Sequence, residues 1–263
     1  NFSVTPGTAP LRNPIIAQSE FEASQGSGEV VSNVNVFNGQ PVYQIPLMGI
    51  NARNVLSWNL SLTYNGSVVS PTLKSANRMV TSGTYGLGWS MSTPYVSVNH
   101  MGTVSTMDDV IYCDLGPYGG GQIVQNSDGK FFLSTNPYIR IMAMLDPTAY
   151  ANGKMRIVSW QFFMPDGNRM FFGETDNSRR TQRSRGNVVA AHPATAANGE
   201  DFIYRFDLSR YTTFDESTQI LFGYSQIREP VSATESYVRE SALSSVYWQS
   251  SGVTVDSIAL RYE

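Results

Sequence analysis

Apolar and polar residues alternate with a period of two along most of the chain. In VLSWNLSLTY, Leu56, Trp58, Leu60, Leu62 and Tyr64 fall on one face, and Ser57, Asn59, Ser61 and Thr63 on the other. That is the pattern of a half-buried strand, and Asn65-Gly66 ends it with a turn pair. In VNVFNGQPVYQIPL, Asn38-Gly39 lies between two apolar runs and signals a hairpin. Pro41 and Pro46 place the second run at a sheet edge or a bulge, because proline cannot donate to a ladder. Two more hairpins turn on Asp-Gly pairs, at Asp128-Gly129 and Asp166-Gly167, each followed by paired aromatics, Phe131-Phe132 and Phe171-Phe172. Further on, Phe202, Tyr204, Phe206 and Leu208 alternate with Ile203, Arg205, Asp207 and Ser209. The last residues repeat the pattern, with Ile258, Leu260 and Tyr262 against Ala259, Arg261 and Glu263. Strong helix signals are missing; the best candidate, Ser232 to Ser245, has only modest 3.6-residue periodicity. The expectation is an all-β protein with little helix: a many-stranded, mostly antiparallel sheet, built as a large sandwich or as a segment of a β-shell.

Two segments break the alternation. Residues 1–30 carry Pro, Gly and Ser with no sustained period and are expected to be an arm or linker ahead of a β domain over 31–263. Residues 177–200 form a 24-residue stretch without apolar periodicity and are expected to be a flexible insert. Its arginines, Arg179, Arg180, Arg183 and Arg185, suit a solvated loop; a tryptic processing site or an anion contact are the sharper readings.

Composition narrows the function classes. Charged residues make up 15% of the 263, against about 25% in an average soluble domain. The net charge of −3 lacks the basic surplus of a nucleic-acid binder, so that partner is disfavoured. No apolar run reaches the ~18 residues of a membrane-spanning helix. The single cysteine, Cys113 in VIYCDLG, excludes an intrachain disulfide and reads as a small buried core residue. The first residue is Asn rather than Met, which implies that an upstream segment is removed.

The search for chemistry eliminates more than it finds. TSGTYGLGWSMSTP has Gly86 and Gly88 before Trp89, but a dinucleotide loop needs a third glycine and a following helix. Here the glycines are expected to let the strand bend or bulge, with Gly86 or Gly88 at positive φ, and to set Trp89 into the sheet as a buried anchor, with Pro94 limiting pairing beyond it. GPYGGGQ lacks the Lys-Ser/Thr ending of a P-loop, and no G-x-S-x-G elbow is present. His100 and His192 have no metal-spaced partner. Asp108, Asp109 and Asp114 are the densest acidic group, a weak calcium candidate whose spacing is not that of an EF-hand. Nothing nominates a carboxylate pair, and neither catalytic residues, a metal nor a cofactor is expected.

Several of these motifs occur in an order that resembles a known family. VNVFNGQPVYQIPL, LSWNLSLTYNGS and YGLGWSMSTPYVSV resemble the N-terminal β region of RHS/YD-repeat toxin proteins, of the insecticidal toxin-complex B-component and salmonella plasmid virulence protein type. Gly86, Gly88, Trp89 and Pro94 carry one motif of that likeness. WQFFMPDGNRMFFG, through Trp160, Asp166, Gly167 and Gly173, carries another. FIYRFDLSRYTTFDESTQILFGY is similar to the segment that follows, with Tyr204 or Phe206 where tryptophan is usual and Ser217-Thr218 in place of Gly-Asn. Typical Tyr-Asp repeats are absent.

The resemblance implies a non-catalytic structural β segment of an exported protein, part of a sheet-built shell that encloses or delivers a toxic payload. It implies a secreted or extracellular location, with other segments of the same polypeptide or other toxin-complex subunits as partners. Two alternatives come from other classes. A secreted carbohydrate-binding β module would show a planar row of solvent-facing Trp or Tyr and would take glycan as partner. A glycoside hydrolase would show two carboxyl groups roughly 5–10 Å apart in a cleft.

Overall fold

The computed structural model describes residues 2–6, 31–34, 41–52, 55–65, 85–86, 88–151, 153–183, 201–230 and 236–262. The strands run in order β1 (Phe2–Pro6), β2 (Val31–Val34), β3 (Pro41–Ala52), β4 (Leu56–Asn65), β5 (Trp89–Met91), β6 (Tyr95–Asn99), β7 (Val110–Asp114) and β8 (Gly120–Gln125). They continue as β9 (Phe131–Leu133), β10 (Arg140–Asp146), β11 (Arg156–Phe163), β12 (Arg169–Phe172), β13 (Arg179–Arg183), β14 (Asp201–Thr212), β15 (Thr218–Pro230), β16 (Ser236–Ser250) and β17 (Val253–Tyr262). The helical residues among those described here are two 3-10 turns, Gly116–Tyr118 and Asp176–Ser178. The fold is all-β and antiparallel, as the alternation predicts.

The expected single β domain over 31–263 divides into two compact units, Thr8–Thr93 and a larger one of Asn1–Gly7 with Pro94–Glu263. Alternation is the same on both sides of this boundary, so it leaves no mark in the sequence. Pairing shows it: β5 pairs with β4, whereas β6 pairs with β7 and β14.

The smaller unit is a four-stranded sheet in the order β2-β3-β4-β5. Leu56, Trp58 and Leu60 are buried on one face of β4, with Met48, Ile50 and Met91. Pro46 stands beside a bulge between Pro46 and Met48, where its missing N–H costs the ladder least.

In the larger unit, β6 to β12 pair in sequence and β14 closes the ring to β6, making an eight-stranded antiparallel barrel. The peptide between Asp207 and Leu208 shows the closure directly. Its carbonyl accepts from the Gly173 N–H beyond β12, and its N–H donates to the Pro94 carbonyl just before β6. The two groups of one peptide point to opposite edges of a strand, so β14 has a neighbour on each side. Val98, Ile111, Ile123 and Leu133 form one buried cross-strand row through β6 to β9, each side chain stabilising by about 1.5–3 kcal/mol on burial.

From the C-terminal part of β14 the sheet continues through β15, β16 and β17 to β1. Ser232 to Ser245, the helix candidate, falls largely on β16, a strand. Bulges at Gly223/Tyr224 and Ile227/Arg228 shift the β15–β16 register and blur the period of two that would have revealed it. The expected arm and insert are corrected in the same way. Phe2–Pro6 pair with β17, and Arg179–Arg183 form β13 on β14. Residues 7–30 and 184–200 lie outside the described residues.

Candidate functional site

β14 is the hub of the larger unit. Its N-terminal part carries β13 and β6, and its C-terminal part carries β12 and β15. It is buried on both faces from Phe206 to Ser209, so the polar Asp207 and Ser209 are covered as fully as the apolar residues they alternate with. Several residues singled out by the sequence motifs converge here. Pro94 and Gly173 bracket the closing peptide. Gly173 has φ +73°, and a Cβ there would sit 2.6 Å from Phe206 Cδ1 and 3.1 Å from the Val158 carbonyl. Only glycine lets β12 approach this closely. Phe206 occupies the room it leaves, and Trp160, fully buried, packs edge-on against Phe206 at 6.3 Å and Phe131 at 5.0 Å between ring centroids.

Asp207 is fully buried at this seam. Its Oδ2 accepts from Arg180 Nε at 2.7 Å and its Oδ1 from Arg205 Nε at 2.8 Å. Burial alone would raise its pKa. The charges of Arg205 and Arg180, with their hydrogen bonds, outweigh that and hold the carboxyl below the usual aspartate range. Arg205 also lies over the Tyr95 ring on β6, 3.8 Å from its centroid. One carboxylate thus ties β13, β14 and β6 together, and with both oxygens engaged and ionised it is a clamp rather than a proton donor. Arg179 donates to the Gly173 carbonyl at 2.7 Å and to Asp176 at 3.0 Å. Two of the four arginines assigned to a flexible anion-contact or processing loop therefore bind the protein itself. Arg183 lies on β13, and Arg185 is outside the described residues.

Asp166 and Gly167 lie apart from the seam, in the β11–β12 turn, where Gly167 has φ +88°. Asp166 Oδ2 accepts a short hydrogen bond from the Tyr118 hydroxyl and another from Asn168 Nδ2 at 2.9 Å. Tyr211 on β14 completes the cluster, 2.7 Å from Tyr118 Oη. Burial, reinforced by Asp166 and Tyr211, pushes the Tyr118 phenol well above the usual tyrosine range. No local pattern marks Tyr118 or Tyr211, because their contact joins residues 93 positions apart. On the outer side of β14, Arg210 grips Glu174 with two hydrogen bonds of 2.8 and 2.9 Å and reaches Glu216, which also binds Arg169.

The acidic group does not come together as a cation site. Asp108 accepts from Thr103 Oγ1, Asp114 from the Gly116 N–H, and Asp109 from Lys154. Among the described residues, no three His, Cys, Asp or Glu side chains are placed to hold a metal. Cys113 is buried, and burial pushes its thiol up to about 12.

In the smaller unit Gly86 and Gly88 have φ of +98° and +83°, as expected of the bend. Trp89 is half-buried rather than buried. It stands in a cross-strand row with Tyr64 and Tyr43, at 5.1 and 5.9 Å between successive ring centroids. The rings are tilted by 51° and 34°, and Tyr64 shares its face with buried Trp58 and Leu60. This is the margin of a core, not a planar platform. Trp160 and Trp58 are buried, and Trp248 is half-buried.

No protein-family model matches the chain, and no curated protein matches it. Solved structures do. The crystal structure of TcdB2-TccC3 is 15% identical with a TM-score of 0.51, over 85% of this chain and 10% of that one. The crystal structure of TcdB2-TccC3-TEV is 14% identical with a TM-score of 0.51, over 86% and 10%. The N-terminal domain of effector protein SpvB from Salmonella typhimurium strain LT2 is 15% identical with a TM-score of 0.44, over 78% and 64%. The fold is therefore of the toxin-complex type: an all-β segment, like one found in TcdB2-TccC3. The chain spans about a tenth of the length of the TcdB2-TccC3 chains it matches.

Proposed function

We propose that this chain is a non-catalytic structural β segment of an exported RHS/toxin-complex-like protein, contributing to a shell that encloses or delivers a toxic payload. The observation that carries the reading is the fold likeness, which extends over most of this chain and a small part of a much longer one. The physics of the seam supports it. Ion pairs and aromatic packing at β14 join strands distant in sequence, a suitable arrangement for a wall. β15, β16 and β17 then extend the sheet away from the barrel, and sheet edges call for pairing or cover. The partners on this reading are other segments of the same polypeptide or other toxin-complex subunits, in a secreted or extracellular setting.

Electron cryomicroscopy of the full polypeptide that contains this chain tests the proposal. The expected result is a barrel set in a continuous sheet wall around an internal space. A barrel standing apart, with no enclosing wall, overturns it. Glycan binding that disappears in Trp89→Ala would favour the carbohydrate-binding alternative instead.

A further inference from the structure

Lys154, in the β10–β11 connection, and Asp109, just before β7, are buried together, their side chains 0% and 1% exposed. Lys154 Nζ lies 2.5 Å from Asp109 Oδ1. The Ser105 carbonyl, at 2.8 Å, and the carbonyls of His100 and Thr103, at 3.4 Å, fix the nitrogen from its other sides. Asp109 Oδ2 is also buried and has no hydrogen-bond partner among the described residues; its polar neighbour is His100 Nδ1, 3.4 Å away. Tyr150 and Phe202, both buried, pack edge-on to that imidazole, each 6.0 Å away between centroids. An amine nitrogen and a carboxyl group are thus held against each other in a site closed to solvent.

We propose that Lys154 and Asp109 condense into an isopeptide bond, a covalent cross-link that the fold itself forms. A bond forms between Lys154 Nζ and Asp109 Cγ, and one Cγ–O bond of the carboxyl group breaks. Of the three protons on the ammonium, one remains as the amide N–H and two leave with the oxygen as water. The positive and negative charges cancel, and no oxidant, cofactor or second substrate is consumed.

Two physical arguments favour the amide at this place. The first is the state of the pair. In water the separate ions are favoured because both are strongly hydrated. A buried pair has given up that hydration, and mutual attraction repays the loss only where the remaining lone pairs are satisfied. Oδ2 is not satisfied. The amide carries no charge, and its N–H keeps the Ser105 carbonyl as acceptor. The second argument is position. A nitrogen 2.5 Å from a carboxylate oxygen lies roughly 3 Å from the carboxyl carbon, a near-attack separation. Groups fixed in this way reach effective molarities of about 10⁵–10⁸ M.

The cross-link has a clear structural consequence. The single cysteine excludes an intrachain disulfide. The isopeptide joins positions 45 apart and fastens the connection between β6 and β7 to the connection between β10 and β11. Reducing agents do not open it.

Mass spectrometry of the full chain under denaturing conditions tests the proposal. The expected mass is lower than the sequence requires by one water, and digestion should yield a branched peptide joining Lys154 to Asp109. Asp-Gly pairs can also lose water, by closing to a succinimide, and Asp128-Gly129 and Asp166-Gly167 are such pairs. A water loss that maps to those turns, or a folded chain at its full sequence mass, overturns the proposal. Lys154→Arg keeps the positive charge but removes the amine, and it should retain its full mass at Asp109. A water loss mapped to Asp109 in that variant also overturns the proposal. The parent-chain measurement needs no substitution, so it decides the matter even where Lys154→Arg does not fold.

Discussion

Asp207→Asn isolates the charge at the barrel closure while keeping the shape of the side chain. The carboxylate is fully buried, with one guanidinium hydrogen bond to each oxygen, at 2.7 and 2.8 Å. Hydrogen bonds to charged groups contribute about 1.5–3 kcal/mol each, and removing one side of a buried ion pair costs about 3–5 kcal/mol. Asparagine keeps one acceptor oxygen, but its amide turns N–H groups toward an arginine. The Arg180 and Arg205 side chains are both 25% exposed, so water recovers part of the loss. The expected cost is about 3 kcal/mol, a fall in Tm of roughly 6–12 °C for a unit of this size. The Asp207 pKa is lowered in the fold. Its contribution is therefore present above the unfolded carboxylate range, near pH ~4, and is lost as pH falls through the folded value. Urea denaturation of the parent and variant chains across pH checks both points. The two stabilities should differ at neutral pH and converge in acid. A difference below about 0.5 kcal/mol at neutral pH, or one that persists undiminished into strong acid, refutes the clamp.

Gly173→Ala should destabilise by about 3 kcal/mol, from positive φ and from contact with Phe206 and the Val158 carbonyl; a change within about 0.5 kcal/mol in denaturant melts would contradict the close approach of β12 to β14. Cys113 should resist thiol reagents at about pH 8 in the native chain and react on unfolding; native labelling at the unfolded rate would show that the thiol is not buried. Limited trypsin should spare the Arg179 and Arg180 bonds, because β13 is paired along β14 and both side chains are engaged; early cleavage there, found by mass spectrometry, would mean that β13 opens readily.

Much of the secondary structure was legible in the chain. Period-two alternation marked β4 and β14, and the Asp-Gly pairs marked the β8–β9 and β11–β12 hairpins, because these signals are local. β13 and β16 were missed for physical reasons. β13 is arginine-rich, and nothing local shows that Arg180 will meet a carboxylate 27 residues away. β16 carries the extra residue of each of two bulges, at Arg239 and Ser244, and these shift the phase of its own side chains. Gly173 belongs to a sequence motif, but its role appears only when Phe206 is placed against it.

The glycine-tryptophan motif, Gly86 to Trp89, divides in the same way. The sequence alone determined that Gly86 and Gly88 would bend the chain, because only glycine adopts positive φ without strain. It could not determine the burial of Trp89, which depends on Tyr64 and Tyr43 beside it and leaves it half-covered. At the scale of the fold, composition and alternation determined an antiparallel all-β protein. Only the tertiary structure decided that the sheet closes. That decision rests on one peptide of β14 bonding to Gly173 on one edge and to Pro94, more than a hundred residues earlier, on the other. Such a pairing depends on the sum of many registers around the ring, and no local pattern carries that sum.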